Sequence, residues 1–203
     1  MDRDHIPGLD RFASYNYSET ASNLSDLLIY TCLASPFLLL FSSAIRNDFD
    51  IVYGMYSESL LFGIALPFYG KAGVQRIRPY IYNTEVPMNK KLSVDTKKSF
   101  FSGHASGAFT STIFLSTIYS TYYPNSKWKP YILTGSVLLA STVGYLRIAA
   151  GAHFVTDVLV GAIVGTMVGF IIPKIHETDN KNFVFESPDI MTHPSGVFFQ
   201  FSF

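Results

Sequence analysis

Three separated blocks of polar residues interrupt an otherwise apolar chain: Lys71 to Arg78-Pro79, then Ser102-Gly103-His104, then Arg147 followed by His153 and Asp157. Lys71, Arg78 and Arg147 are cations. A guanidinium matches phosphate oxygens with paired hydrogen bonds, whereas an ammonium acts as a point charge, so the three read as an anion clamp. His153 and Asp157 stand four residues apart, and on a helix such side chains share a face and can meet. A carboxylate bonded to one ring nitrogen would fix the tautomer. The other nitrogen's lone pair would then be free to attack phosphorus, with the carboxylate stabilising the cation that forms. His104 is the second candidate for chemistry, because an imidazole titrating near neutrality suits proton delivery to a departing oxygen. Ser102 and Gly103 fall where a helix would begin after a basic loop. Unpaired N–H groups there can bind phosphate oxygens, and glycine lets a ligand come close.

In order and spacing, these blocks resemble the three-part signature of the type 2 phosphatidic acid phosphatase family, over roughly residues 50 to 175. The resemblance implies that His153 forms a phosphohistidine, that Asp157 orients it and that His104 is the general acid. It implies that Lys71, Arg78, Ser102, Gly103 and Arg147 hold the phosphate, with no metal and no cofactor. The substrate it implies is a phosphorylated lipid: undecaprenyl pyrophosphate, phosphatidylglycerol phosphate, phosphatidic acid or a lipid A phosphate. Two positions depart from the pattern. Phe101 stands where the family usually has Pro, and Leu146 stands where it has Ser, which removes one phosphate hydrogen bond.

The same residue types are compatible with other chemistries. His104, His153 and Asp157 are acceptable metal ligands, but three nearby cations would repel a divalent ion. The pocket also resembles that of vanadate-dependent haloperoxidases, usually much larger soluble proteins. A non-catalytic binder or transporter of a phosphorylated lipid is the remaining alternative. His5, His176 and His193 lie outside the blocks and read as ordinary polar surface residues, and Arg76 reads as a solvated basic side chain.

The elements that must position these groups are apolar segments. Of the 203 residues, 48% are hydrophobic, 16% aromatic and only 15% charged, a balance that points to a lipid-facing or very well-buried chain in one domain. The zero formal net charge argues against general nucleic-acid binding, and the single Cys32, in an apolar stretch, suits packing. Five segments emerge: Leu27 to Ile45 with a kink at Pro36, Ile51 to Gly70, Ser102 to Tyr123, Tyr131 to Leu146, and His153 to Ile172. Glu58 in the second is expensive in lipid and is expected to face the interior as a hydrogen-bond partner. Gly161, Gly165 and Gly169 recur every fourth residue and predict close helix packing. No strand alternation interrupts this region, and short connections such as Arg46 to Asp50 favour antiparallel neighbours.

The expected fold is therefore an all-α antiparallel bundle of five to six membrane-spanning helices. Alternation brings the end of the second segment, the start of the third and the turn between the last two to one mouth. The expected organisation is a polar N-terminal segment over 1–26, with an interfacial helix over Leu9 to Ser25, a catalytic bundle over 27–175 and a tail over 176–203. Met1 to Asp26 lacks the apolar core of a signal peptide. In the tail, the alternation of Val197, Phe199, Phe201 and Phe203 suggests a short strand or a membrane-surface anchor. The loop from Lys71 to Phe101 adds Lys90, Lys91, Lys97 and Lys98 to the mouth and should attract anionic headgroups. A loop this basic favours the cytoplasmic side. The resemblance instead implies a bacterial inner membrane protein with its site facing the periplasm, and phosphate binding gives these cations an independent reason, so the second orientation is preferred.

Overall fold

The computed structural model describes residues 6–177, 189–193 and 196–200. Its helices are α1 (Glu19–Ala34), α2 (Ser43–Asn47), α3 (Phe49–Val74), α4 (Met88–Lys91), α5 (Gly103–Tyr122), α6 (Lys129–Ala149) and α7 (Val155–Ile175). Five of these are long and form the antiparallel bundle. Among the described residues, Glu19–Phe41, Phe49–Val74, Lys129–Ala149 and Val155–Ile175 are long and apolar enough to cross a membrane. Two strands, β1 (Asp189–His193) and β2 (Gly196–Gln200), pair antiparallel with Asp189 opposite Gln200 and His193 opposite Gly196. Phe201 and Phe203, and His5 at the other end, lie outside the described residues.

The first span starts eight residues before the apolar onset at Leu27. Ser18 is the N-cap, its Oγ accepting from the Ala21 N–H at 3.2 Å, and this satisfies one of the donors a helix start leaves open. An interfacial helix over Leu9 to Ser25 does not form. Instead a single 3₁₀ turn at Asp10–Phe12 precedes a bend at Tyr15, whose φ of 74° no helix accommodates. At the far end Pro36 has no N–H, and the chain tightens into a 3₁₀ run over Ser35–Phe41. The Leu33 carbonyl, which a residue-36 N–H would otherwise meet, accepts from the Tyr56 hydroxyl at 2.7 Å.

The central element is α5, buried along most of its length from Ala105 to Ile118 despite its hydroxyl-rich sequence. Several of those hydroxyls are bonded locally or across the bundle, while that of Thr110 is buried without a partner among the described residues. Thr112 and Thr117 donate to the carbonyls one turn back, Ala108 at 2.9 Å and Ile113 at 2.8 Å, and Ser106 donates to the Gly63 carbonyl at 2.9 Å. Gly161, Gly165 and Gly169 of α7 lie directly over the carbonyls of Ser102, Ser106 and Thr110, and a Cβ on any of them would collide with α5 backbone. The expected smooth stripe is thus the α5–α7 interface. On the opposite face of α7, Leu159, Ile163, Met167 and Phe170 are exposed at helical spacing, as a lipid-facing stripe requires.

At the end away from the polar blocks, Leu39, Ile45, Val52, Met55, Phe114, Ile118 and Ile172 pack into an apolar cluster that closes the bundle. Glu58 of α3 meets His176 just past α7, Oε2 to Nε2 at 2.9 Å. His176 is therefore a partner of Glu58 rather than an ordinary surface residue. Cys32 is buried against Ala108, Phe109 and Ala140, a packing position.

Candidate active site

The blocks meet at the open end. Gln75, in the left-handed conformation, terminates α3 and leaves Lys71 on its last turn. The Lys71 ammonium lies beside Gly103, where a Cβ would come within 3.3 Å of Nζ, so a side chain at 103 would crowd the cation. After α3 the loop folds back on itself. Arg78 bonds the 95–97 turn through its own N–H to the Thr96 carbonyl at 2.9 Å and through Nε to the Asp95 carbonyl at 2.9 Å. Burial of this guanidinium pushes its pKa down from the usual value, so the fold holds a cation where water solvates it poorly.

Ser102 caps α5, with Oγ accepting from the Ala105 N–H at 3.3 Å, and its own N–H donates to the Asp157 carbonyl at 3.0 Å. That bond ties the start of α5 to the start of α7. Between α6 and α7, Gly151 takes φ +68°, a conformation other residues adopt poorly, with the Asn16 carbonyl pressed against its Cα. The turn this permits brings the His153 N–H to 3.3 Å from the Arg147 carbonyl, so the third-block Arg and His are linked through backbone.

His153 precedes α7 rather than standing on it. The helix begins at Val155 with Phe154 as its cap, so the expectation of a shared helical face with Asp157 is corrected. The His153 Nδ1 lies 2.6 Å from the Ser99 carbonyl, and Asp157 Oδ2 is 3.9 Å away, beyond hydrogen-bond range. A carbonyl oxygen only accepts, so Nδ1 carries the hydrogen and Nε2 the lone pair. Burial first, then the charges of Arg78, Arg147 and Lys71, push the imidazole well below its ordinary pKa and keep it neutral.

Asp157 acts one residue removed. Its Oδ2 accepts from the Ser99 hydroxyl at 2.5 Å and the Phe154 N–H at 2.9 Å, and its Oδ1 accepts from Arg76 Nη1 at 2.5 Å. It anchors the residue whose carbonyl holds the ring. Arg76 is correspondingly not a solvated side chain. It bridges Asp157 to the fully buried Asp10, its Nη2 standing 2.6 Å from Asp10 Oδ2, and stacks over the Phe154 ring at 4.2 Å. Asp10 in turn accepts from the Thr156 N–H at 2.9 Å and so caps α7 from another part of the chain. Burial alone would raise the Asp10 pKa. The bonds from Arg76 and Thr156 outweigh it and hold the carboxyl below the usual range.

His104 sits on the first turn of α5, with Nε2 2.8 Å from Asp26 Oδ1. Arg147, buried near the end of α6, donates from Nη1 to Ser25 Oγ at 3.1 Å and to Asp26 Oδ1 at 3.2 Å. Its Nε is one of two buried side-chain polar atoms without a partner among the described residues. Phe101 lays its ring against Gly70, and Leu146 packs with Ala21, Ala150 and Ala152 toward α1. Neither brings a polar group to the mouth. Sequence reasoning missed Asp10, Asp26 and Ser99. Only Asp26 had a signal, because Ser22, Ser25 and Asp26 fall at helical spacing with Ser18 once the helix is started at its cap.

A model of the PAP2 superfamily matches residues 51–181, which contain all three blocks. A lipid A 4′-phosphatase of Porphyromonas gingivalis is 29% identical over 103 residues, 50% of this chain and 39% of that protein. The match thus spans about two-fifths of that relative's length. The crystal structure of Aquifex aeolicus LpxE superposes with a TM-score of 0.56 at 24% identity, over 86% of this chain and 99% of that one. The family match over nearly two-thirds of the chain and the shared helical architecture agree with the meeting of the blocks at one mouth: this chain is an integral membrane protein of the PAP2 superfamily.

Proposed function

We propose that this protein is a membrane phosphatase that hydrolyses a lipid phosphate monoester or lipid pyrophosphate through a phosphohistidine on His153. The observation that carries the proposal is the locked tautomer: the Nδ1–H donated to the Ser99 carbonyl at 2.6 Å leaves a neutral Nε2 lone pair among three cations. The Nε2 pair attacks phosphorus, the bond to the leaving oxygen breaks, and His104 gives that oxygen a proton. His104, now neutral, takes a proton from water. The water oxygen attacks phosphorus, and the P–N electron pair returns to His153 as phosphate departs. Lys71, Arg78, Arg147, the Ser102 hydroxyl and the Gly103 N–H stabilise the equatorial oxygens, and the unpartnered Arg147 Nε is one donor for them. Asp157, through Ser99 and by its charge, steadies the imidazolium.

The acyl or prenyl chains would stay in lipid while the headgroup enters the mouth. The name of the Porphyromonas gingivalis relative makes a lipid A phosphate the first substrate to test. We propose that the site faces the periplasm from a bacterial inner membrane, where the cations of the Lys71 to Phe101 loop serve the phosphate. Purified protein in detergent with chelator present should release phosphate from at least one of lipid A, phosphatidic acid, phosphatidylglycerol phosphate and undecaprenyl pyrophosphate. His153→Ala should abolish release while keeping the wild-type melting profile. Release from none of the four, or full activity in His153→Ala, would refute the proposal.

A further inference from the structure

An imidazole that must hold two protons beside Arg147 and Lys71 needs a counter-charge, and none of the three polar blocks supplies one to His104. The structure supplies it from α1. Asp26 Oδ1 is 2.8 Å from His104 Nε2 and 3.2 Å from Arg147 Nη1, and the adjacent Ser25, fully buried, accepts from the same Nη1 at 3.1 Å. Ser25 is itself fixed by donating to the Ser22 carbonyl at 2.7 Å, so this turn of α1 is built to hold both groups. Asp26 lies outside the residues that match the family, 51–181.

We infer that Asp26 is a positioning residue for His104. An ionised carboxylate only accepts, so His104 Nε2 carries a hydrogen, and Nδ1 is the nitrogen left to exchange a proton with the substrate. The carboxylate sets which nitrogen faces the reaction and balances the ring's charge while both nitrogens are protonated. When the bond from phosphorus to the leaving oxygen breaks, its electron pair stays on that oxygen, which takes the Nδ1 proton. The ring becomes neutral with Nε2–H still held. Attack by water returns a proton to Nδ1, and no proton passes to Asp26. The inference rests on the phosphatase proposal above.

The test compares a long-chain alkyl phosphate with a nitrophenyl phosphate bearing the same chain, whose leaving group departs without a proton. Purified full-length protein in detergent is assayed as wild type, Asp26→Asn, Asp26→Glu, Ser25→Ala, His104→Ala and the Asp26→Asn/His104→Ala double variant. General acid catalysis contributes about 10²-fold or more, so Asp26→Asn should cut the alkyl-to-aryl ratio of kcat at least ~10-fold, as His104→Ala does. The double variant should lose nothing further relative to His104→Ala. Asp26→Glu should restore part of the ratio, and Ser25→Ala, which loosens only Arg147, should slow both substrates alike. Equal slowing of both substrates by Asp26→Asn, or a full additional loss in the double variant, overturns the inference. If Asp26→Asn does not fold, an unchanged ratio in Asp26→Glu overturns it equally. A wild type inactive on both esters sinks the phosphatase proposal as well, whereas an active wild type with an unaltered variant ratio sinks only the role of Asp26.

Discussion

Asp157→Asn separates two things a carboxylate beside an imidazole can do: hold its tautomer and balance its charge. Here the tautomer is held by the Ser99 carbonyl at 2.6 Å, which the substitution leaves in place, while Asp157 Oδ2 stands 3.9 Å from Nδ1. Unit charges at about that separation interact by about 4 kcal/mol at an effective dielectric constant of ~20. Arg76, 2.5 Å from the other carboxylate oxygen, cancels part of this field. Taking about half as felt by the phosphohistidine leaves ~2 kcal/mol, or a loss of about 30-fold in the chemical step. Where an Asp directly fixes the catalytic tautomer, as in serine protease triads, its amide costs about 10⁴-fold. Single-turnover phosphate release at saturating lipid phosphate reads the difference. Melting in detergent serves as the folding control, since Asn can still accept the Phe154 N–H. A loss near 10⁴-fold in folded protein would refute the assignment of tautomer control to Ser99, and a loss below threefold would refute the charge argument.

Other consequences are open to direct measurement. Because His153 resists protonation in the folded chain while the unfolded chain takes up a proton near the ordinary value of about 6.5, its contribution to stability is complete above that pH and declines as pH falls below it. The melting temperature in detergent should therefore drop between pH 7.5 and 5.5, and His153→Asn should shrink that drop. With His153 neutral, the proposed mechanism also predicts that the rate of phosphohistidine formation, read by acid-quenched labelling, does not fall as pH passes through 6.5. Gly165→Ala would drive a methyl into the Ser106 carbonyl and force α5 from α7, a destabilisation of roughly 1–3 kcal/mol, visible as a lower melting temperature with reduced activity. Arg76→Gln strands the buried Asp10 and Asp157 carboxylates and should destabilise by roughly 3 kcal/mol, with Arg76→Lys recovering only part.

The bundle and the meeting of its polar blocks were legible because both follow from the order of apolar segments. Helix alternation alone carries Lys71, His104 and Arg147 to one end, and the glycine repeat of α7 marks its close face. What held the site was less legible. Arg76 and Asp10 sit in stretches with no periodic signal, and their pairing joins positions 66 residues apart, a contact only the folded chain creates. Ser99 acts through its backbone carbonyl, which no side-chain pattern encodes. Asp26 was hidden by reading the first helix from its apolar onset instead of its Ser18 cap. The His153–Asp157 spacing suggested a helical pair, but Gly151 turns the chain so that His153 arrives before the helix starts.

The burial of α5 has a consequence for how the protein is made. Among the described residues it is the one long helix that falls short of the composition a span needs, and its Ser and Thr residues are tolerated because α3, α6 and α7 shield them. A segment of that composition partitions weakly into a bilayer by itself. During synthesis it must therefore wait at the interface until α7, the most apolar span with a mean hydropathy of 2.2, has emerged and can close over it. On this view the proposed catalytic mouth, which needs the starts of both helices, is assembled in the last step of insertion, so a nascent chain carries no competent site before it is fully embedded.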